Sequence, residues 1–349
     1  MIGRRQAVLL VGIAALVGSS ALFAQKKDDR NDAQKKEIQA VVKVADDVAA
    51  GQPAPNDLGL AWVHEDYMKA SANKDYVPFT VTFDASKVAS PNVAIYWRVV
   101  SKNVPAAPVP VAPAKRDEKS ARDIAPKRDF AYEDVSFVGP TPGPAAQRVS
   151  RSFTVPAGAY DVYVVAKEAA STQKNAVAKV SVIKQAVTAP EFWNGELTTS
   201  SVIMAQRIEP LPAPLSAQQQ ADRPYAMGQM EITPAVDLKF SKKAELSSFM
   251  LIYNPKTGAD NKPDVSIEYN FYAKSGGAEK FFNKTNPQNL NGQTLPPQFD
   301  LNAGHQLQTG QAVPLATFPE GDYRLEIKVT DRIANKSVTR DVNFSVTAS

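Results

Sequence analysis

The stretch Pro156-Ala157-Gly158-Ala159-Tyr160-Asp161-Val162-Tyr163-Val164 recurs near the other end of the chain as Pro319-Glu320-Gly321-Asp322-Tyr323-Arg324-Leu325-Glu326-Ile327. Each copy starts with a Pro and a Gly, which favour a tight turn, passes a Tyr, and then places an apolar residue at every second position. Alternation with this period predicts a half-buried β-strand that is entered from a corner. The pattern therefore predicts the same strand in two related domains.

Two further blocks repeat upstream of this strand. Val93, Ile95, Trp97 and Val99 match Val265, Ile267, Tyr269 and Phe271 at an offset of 172 residues, and Phe79, Val81 and Phe83 match Phe249, Leu251 and Tyr253 at an offset of 170. The corner stretch repeats at an offset of 163. Because the three blocks keep their order, we infer an internal duplication. The first copy is nine residues longer, and residues 104–128, rich in Pro, Ala and Lys, fall in that interval as a predicted exposed insertion.

Short strands separated by turn residues, with almost no helical period between them, predict an all-β chain of two tandem antiparallel sandwiches. Residues 60–187 form the first predicted sandwich and residues 188–349 the second. Residues 210–224 and 283–314, rich in Pro, Gln and Asn, are predicted loops.

The N-terminus carries Arg4 and Arg5, an apolar run over residues 7–17, and the pair Ser19 and Ser20. This order predicts a signal peptide over residues 1–24, cleaved after Ala24. The apolar run is short for a membrane span, although an uncleaved anchor is the alternative. Residues 25–59 are predicted to hold a charged leader and a helix over residues 32–50, which packs on the first sandwich or serves as a docking arm for a partner.

The amino-acid composition argues against several classes of function. The chain has no Cys and a formal net charge of +4, and loss of the predicted signal peptide with its two Arg leaves +2. Such a balance gives no electrostatic reason to expect nucleic acid or an anionic membrane as partner. The absence of Cys excludes disulfides and thiol catalysis, and in an exported chain it favours a bacterial envelope. We expect residence in the periplasm, at the cell surface or outside the cell.

The corner stretches resemble the tyrosine corner of immunoglobulin-like domains, with Val162 and Leu325 where antibodies carry the second cysteine. Trp97 and Tyr269 then match the buried Trp of such domains. The stretches around residues 75–84 and 318–346 also resemble segments of uncharacterised exported bacterial proteins, some of which carry a GWxTD or a von Willebrand A-related domain. Neither the GWxTD domain nor the von Willebrand A-related domain is recognisable in this sequence. The resemblance implies immunoglobulin-like sandwiches in an exported accessory protein.

Motifs for catalysis are absent: no nucleotide-binding loop, GxSxG or HExxH occurs. His64 and His305 stand alone, and the near miss of a metal-dependent adhesion motif at residues 84–88 is better interpreted as an Asp-Ser turn. Asp260, Asp264 and Asp331 lack the spacing of a calcium loop. We predict no catalytic residue, metal or cofactor, although carboxylate pairs for glycoside hydrolysis depend on spatial separation that a sequence does not give.

Three aromatic residues fall outside the strand alternation: Trp62, Phe192 and Trp193. They are candidates for contact with a partner or a sugar, or they close the junction between the sandwiches. Gly158, Tyr160, Gly321 and Tyr323 are assigned to the structural corners. The leading hypothesis is a non-enzymatic binding or scaffold protein of the bacterial envelope that recognises a protein partner through sandwich edges and loops. The alternatives are a carbohydrate-binding module and a hydrolase with loop carboxylates.

Overall fold

The computed structural model describes residues 31–102, 130–141, 146–170 and 177–348. The predicted signal peptide and the predicted insertion at 104–128 lie outside these residues. The described chain is predominantly antiparallel β-structure with one long helix, and it forms the two predicted sandwiches in tandem.

The first sandwich consists of eight strands in two sheets. They are β1 (Ala61–Glu65), β2 (Met68–Lys69), β3 (Asp75–Asp84), β4 (Val93–Ser101), β5 (Tyr132–Val138), β6 (Ala146–Val155), β7 (Gly158–Glu168) and β8 (Val180–Ala189). One sheet places β3 between β6 on one side and β1 and β2 on the other, and the second sheet runs β5-β4-β7-β8. Their inner faces form a core around Phe79, Trp97 and Val162.

The second sandwich contains twelve strands and a short helix. They are β9 (Thr198–Thr199), β10 (Ile203–Pro210), α2 (Ala217–Asp222), β11 (Ala226–Met227), β12 (Met230–Pro234), β13 (Lys239–Ser241), β14 (Glu245–Tyr253), β15 (Val265–Ser275), β16 (Ala278–Lys284), β17 (Gln288–Leu290), β18 (Leu307–Pro314), β19 (Gly321–Asp331) and β20 (Lys336–Thr347). One sheet runs β11-β12-β10-β14-β18 and the other β13-β20-β19-β15-β16. The order β10-β14-β18 repeats β1-β3-β6, and β16-β15-β19-β20 repeats β5-β4-β7-β8.

Strand pairing supports the duplication at the level of single residues. Val99 pairs with Val162 and Ser101 with Tyr160 in the first sandwich. In the second, Phe271 pairs with Leu325 and Ala273 with Tyr323. The offsets of 172 and 163 found in the sequence therefore join residues that occupy the same positions in the two sheets.

The offset of 170 residues, which aligned the block in β3 with the block in β14, is wrong by one residue. Phe79, Val81 and Phe83 of β3 point into the first core, whereas Phe249, Leu251 and Tyr253 of β14 point away from the second core, which is instead lined by Met250 and Ile252. The physical reason is that residues 249–253 of β14 are buried on both faces of the sheet, so five successive residues are apolar. Alternation cannot set the register of such a strand.

Both corners have the predicted geometry. The Tyr160 hydroxyl donates a hydrogen bond to the carbonyl oxygen of Pro156 at 2.8 Å, and Tyr323 does the same to Pro319 at 2.8 Å. Gly158 and Gly321 have φ of 151° and 147°, a region that a residue with a Cβ rarely adopts. The two Tyr and two Gly assigned to the corners are therefore part of the scaffold.

Helix α1 (Asp32–Ala49) begins at the cap Asn31, whose side chain forms a capping box with Gln34. Its buried residues Val41 and Ala45 pack on the outer face of the first sandwich, over Tyr96 and Val165. The helix thus packs on its own domain, as the first of the two sequence interpretations predicted. Neither helix in the described ranges has the length and apolar character needed to cross a bilayer.

Two predicted loops contain regular structure. The region 210–224 includes α2 and leads into the hairpin β11-β12, and the region 283–314 includes β17 and β18. The sequence did not predict strand β18, because LQTGQAVP has no regular alternation of apolar and polar residues and only Leu307 and Thr309 are buried. The sequence also did not predict strands β1 and β2. They have five and two residues, which is too short for an alternating pattern to be recognised.

Candidate functional site

The junction between the sandwiches is a third hydrophobic cluster. Residues on the outward face of β14 meet Met68 of the first sandwich, Phe192 of the connecting segment, and Tyr225 and Met227 beside the hairpin β11-β12. Hydrogen bonds cross the junction as well: the amide of Tyr67 donates to Ser201 Oγ at 2.9 Å, and the Tyr67 carbonyl oxygen accepts from the amide of Ser201 at 2.9 Å. Apolar burial and backbone bonds together hold the two sandwiches against each other.

Two of the three candidate aromatic residues lie in this junction. Phe192 is only 2% exposed and packs against Tyr253 with ring centroids 5.1 Å apart. The half-buried Trp193 donates its indole N–H to the carbonyl oxygen of Lys74 at 3.2 Å, and the Lys69 ammonium lies 4.2 Å from its ring centroid. Trp62, in contrast, stacks on Phe79 at the edge of the first core and donates its indole N–H to Glu65 at 2.6 Å. These positions assign Phe192 and Trp193 to closure of the junction.

A buried carboxylate links the two domains at one side of the junction. Asp66 is 1% exposed, lies 2.8 Å from His64 Nε2, and accepts a hydrogen bond from the Tyr225 hydroxyl at 2.9 Å. Burial lowers the pKa of His64, but the hydrogen bond and the negative charge of Asp66, with a contribution from Glu65, outweigh it, so the pKa is raised. His64 is thus a positioning partner for Asp66.

A second buried carboxylate lies at the start of β3. Asp75 is 0% exposed, and neither of its carboxylate oxygens has a hydrogen-bond partner among the residues that the structure describes. Burial, with a contribution from the negative charge of Glu191, raises its pKa to about 7, while Lys69 acts in the opposite direction. The Lys69 ammonium instead donates to Asn254 Oδ1 at 2.9 Å. Asp75 is therefore neutral over most of the acidic range and becomes a buried charge above neutral pH.

The region of α2, β11 and β12 attaches the second sandwich to the edge of the first. Tyr76 donates its hydroxyl to the carbonyl oxygen of Pro224 at 3.0 Å. Arg151 of β6, 5% exposed, donates to Ser136 Oγ at 2.9 Å and to the carbonyl oxygen of Ser150 at 2.7 Å, and its guanidinium lies 3.3 Å from Asp222. Burial lowers the pKa of Arg151, whereas Asp222 and Asp134 raise it.

A groove of about 290 Å³ lies where these parts meet. Residues 147–151 of β6 form one wall and residues 231–234 of β12 the other. Arg223 and Glu231, at the second wall, form a two-pronged ion pair in which Nε lies 2.9 Å from Oε1 and Nη2 also contacts Oε2. The groove is therefore composite, because each sandwich contributes one wall.

The three acids considered as calcium ligands bind nearby groups of the protein: Asp260 accepts from the amide of Lys262, Asp264 lies 3.3 Å from Arg332, and Asp331 is buried. Asp331 is 0% exposed and accepts three backbone N–H bonds, from Lys256 at 2.7 Å and from Ile333 and Ala334 at 3.0 Å each. Glu168 at the equivalent position of the first sandwich accepts from the amides of Ala89 and Lys179. These carboxylates close the turns that follow their strands.

The remaining motifs are also turns. Asp84 accepts bonds from the amide and hydroxyl of Ser86, which closes the predicted Asp-Ser turn in a short 3-10 helix, Ala85–Lys87. His305 Nδ1 accepts from the amide of Asp300 within a loop. Across the described ranges, no three His, Cys, Asp or Glu side chains are grouped so as to hold a metal ion.

The junction carboxylates were not identifiable from the sequence. Asp66 and Asp75 have no distinctive spacing, and residues more than 100 positions away act on them: the Tyr225 hydroxyl donates to Asp66, and the charge of Glu191 acts on Asp75. The groove was missed for the same reason. Its second wall lies directly after a region that composition assigned to a loop.

Comparisons with known proteins add structural likeness alone. No protein-family model and no curated protein matches the chain. Among solved structures, Salmonella alpha-2-macroglobulin reacted with methylamine aligns at 13% identity and a TM-score of 0.18. Trypsin-activated alpha-2-macroglobulin from Escherichia coli aligns at 11% identity and a TM-score of 0.21. Each alignment covers 85% of this chain and 17% of the other. The chain thus spans about a sixth of those proteins' length, and a likeness this weak carries no argument about function.

Proposed function

We propose that this chain is an exported, non-enzymatic binding or scaffold protein of a bacterial envelope, which recognises a protein partner through the strand edges and loops of its two sandwiches. The observation that carries this proposal is the junction. A buried cluster and cross-domain hydrogen bonds fix the sandwiches to each other, so that β6 and β12 face one another across a groove. A fixed pair of sandwiches presents a surface that neither has alone.

The roles of the buried acids support a structural scaffold. Asp331 and Glu168 bind backbone amides, and Asp66 binds Tyr225 across the junction. The nearly balanced charge of the predicted mature chain favours a protein partner over nucleic acid. The signal-like N-terminus supports export to the periplasm, the cell surface or the medium.

Cross-linking in the native envelope tests this function. The full chain, expressed with a C-terminal tag in its own host, is cross-linked in intact cells, purified, and analysed by mass spectrometry. We expect the same protein partner in repeated preparations and its absence when an unrelated exported protein carries the tag. Recovery of no reproducible partner contradicts the proposal, as does turnover of a substrate that a single carboxylate substitution abolishes.

A further inference from the structure

Lys69 and Asp75 stand directly opposite each other in the antiparallel pair of strands β2 and β3. Residues opposed in this way point to the same face of the sheet, with Cβ atoms about 5 Å apart. The four-carbon stem of lysine is long enough for the ammonium to reach the carboxylate without a change in the backbone. In the structure, however, neither carboxylate oxygen of Asp75 has a hydrogen-bond partner among the described residues. The two side chains are therefore within reach of each other and are not paired.

The Lys69 ammonium is directed across the junction instead. It donates to Asn254 Oδ1 at 2.9 Å, directly after β14 of the second sandwich, and lies 4.2 Å from the ring centroid of Trp193 in the connecting segment. Asn254 in turn holds that segment, because its Nδ2 donates to the carbonyl oxygens of Phe192 and Glu196 at 3.0 and 2.9 Å. Lys69 thus joins the first sandwich to the second and to the segment between them.

The surroundings of Asp75 favour its neutral form. The titratable groups around it are the Lys69 ammonium on β2, the Glu191 carboxylate in the connecting segment, and the hydroxyls of Tyr160 on β7 and Tyr253 on β14. Burial raises the pKa of Asp75 to about 7, Glu191 adds to this effect, and Lys69 opposes it. Burial also lowers the pKa of Lys69, against the charges of Asp75 and Glu191. A proton on Asp75 therefore leaves the ammonium available to groups across the junction.

We propose that Asp75 and Lys69 form a pH-dependent switch in the junction. When Asp75 is protonated, Lys69 binds Asn254 and Trp193, as in the structure. When Asp75 loses its proton, a buried carboxylate without a partner is costly, and the ammonium turns from the junction to form an ion pair with it. The first sandwich then loses its polar contact with Asn254 and Trp193, and the junction loosens. The switch goes beyond the proposed function and acts within the chain, so its test needs no partner.

Nuclear magnetic resonance of the Trp193 indole N–H follows the position of Lys69 in the purified protein. The contact across the junction should be strongest in acid and weaken as pH rises through the pKa of Asp75. We therefore expect the Trp193 signal to move with a midpoint near pH 7, because the ammonium leaves its ring. The indole N–H of Trp97, which donates to the carbonyl oxygen of Ser152, should not move over the same range.

Three variants separate a movement of Lys69 from a direct effect of the Asp75 charge. Asp75→Asn has no carboxyl proton to lose, so the Trp193 signal should stay at its acid position throughout. Lys69→Met keeps Asp75 but has no ammonium, so the signal should lose most of its movement. Asp237→Asn removes an exposed carboxylate and should titrate like the parent. A constant signal in the parent, or an equal movement in Lys69→Met, overturns the switch.

Distances between spin labels, measured by pulsed electron resonance, show whether the switch loosens the junction. The chain has no Cys, so two introduced cysteines are labelled selectively. Ala186→Cys on β8 and Lys328→Cys on β19 place one label at an exposed position of each sandwich. We expect their distance distribution to broaden as pH rises from about 5 to about 8.5, and to stay narrow when Asp75→Asn is added. Lys239→Cys with Lys328→Cys, both in the second sandwich, should show no change. An unchanged width between the sandwiches overturns the switch.

Discussion

Tyr323 contributes one identifiable hydrogen bond to the second sandwich. Its hydroxyl donates to the carbonyl oxygen of Pro319 at 2.8 Å, and its ring packs between Phe282, Phe318 and Phe344. Tyr323→Phe keeps the ring and removes the bond, so we expect a loss of about 1 kcal/mol in the free energy of unfolding. Denaturant unfolding measures this change. Tyr160→Phe is the matched variant in the first sandwich, and an unchanged midpoint for Tyr323→Phe contradicts the role assigned to the corner.

Asp75 makes the stability of the protein depend on pH. Its pKa is about 7 in the folded state and close to 4 when unfolded, so between these values the folded state holds a proton that the unfolded state has released. The contribution of Asp75 to the free energy of unfolding should therefore be highest below pH 4, fall by about 1.4 kcal/mol per pH unit as pH rises toward 7, and level off above that.

The substitution Asp75→Asn isolates this contribution. The amide has no charge to bury, so the variant should be more stable than the parent at pH 8 and should lose the fall between pH 4 and 7. Asp237→Asn removes an exposed carboxylate and serves as the control, with the pH dependence of the parent. Denaturant unfolding at several pH values compares the three proteins, and parallel curves for Asp75→Asn and the parent contradict the assignment.

A buried arginine adds a polar anchor to the apolar contact between helix α1 and the first sandwich. Arg98 of β4, 2% exposed, donates to Asp46 Oδ1 at 2.7 Å and to the carbonyl oxygen of Ala45 at 2.6 Å, near the end of the helix. Asp46→Asn leaves the buried guanidinium without this negative partner, and we expect a loss of about 2 kcal/mol. Asp47→Asn breaks an exposed pair with Lys43 on the next residue and should change stability by less than about 0.5 kcal/mol.

Limited proteolysis reports directly on docking of the helix. Release of α1 exposes residues 31–59 to the protease and uncovers Tyr96 and Val165 on the sheet beneath. Asp46→Asn should therefore be cleaved in that segment faster than both the parent and Asp47→Asn. Equal cleavage rates for the two variants contradict the anchoring role of Arg98.

The elements that the sequence predicted well are those with one buried face. Strand β19 alternates cleanly, because it has one face in a core, and its residue offset from β7 agrees with the observed pairing. The register of β14 was not predictable, because its outward face is buried by the other domain. Strand β18 gives no alternating pattern, because only two of its residues are buried. Asp66 and Asp75 owe their desolvation to tertiary contacts, which no local pattern records.

The two outer sheet faces show how one repeat diverged from the other. In the first sandwich Ala94, Tyr96 and Val165 are apolar because α1 covers them. At the equivalent positions of the second sandwich stand Ser266, Glu268 and Lys328. The duplicated scaffold thus kept its core and changed its outer face according to what covers it. The outward face of β14 changed in the opposite direction and became the junction.

The junction should make the two sandwiches unfold as one unit. Phe192 is buried between them, against Tyr253 and the rest of the cluster. Phe192→Ala removes most of a buried aromatic side chain, so we expect a loss of about 3 kcal/mol at the junction. With that coupling weakened, the sandwiches should unfold in two separate steps where the parent unfolds in one.

Calorimetry distinguishes this outcome from general destabilisation. Phe281→Ala removes the same side chain from the surface of β16, where Phe281 is 52% exposed, and should keep a single transition near the midpoint of the parent. Phe192→Ala should split the transition and raise the radius of gyration measured by X-ray scattering, because the sandwiches then move independently. A single, merely lower transition with an unchanged radius contradicts coupling through Phe192.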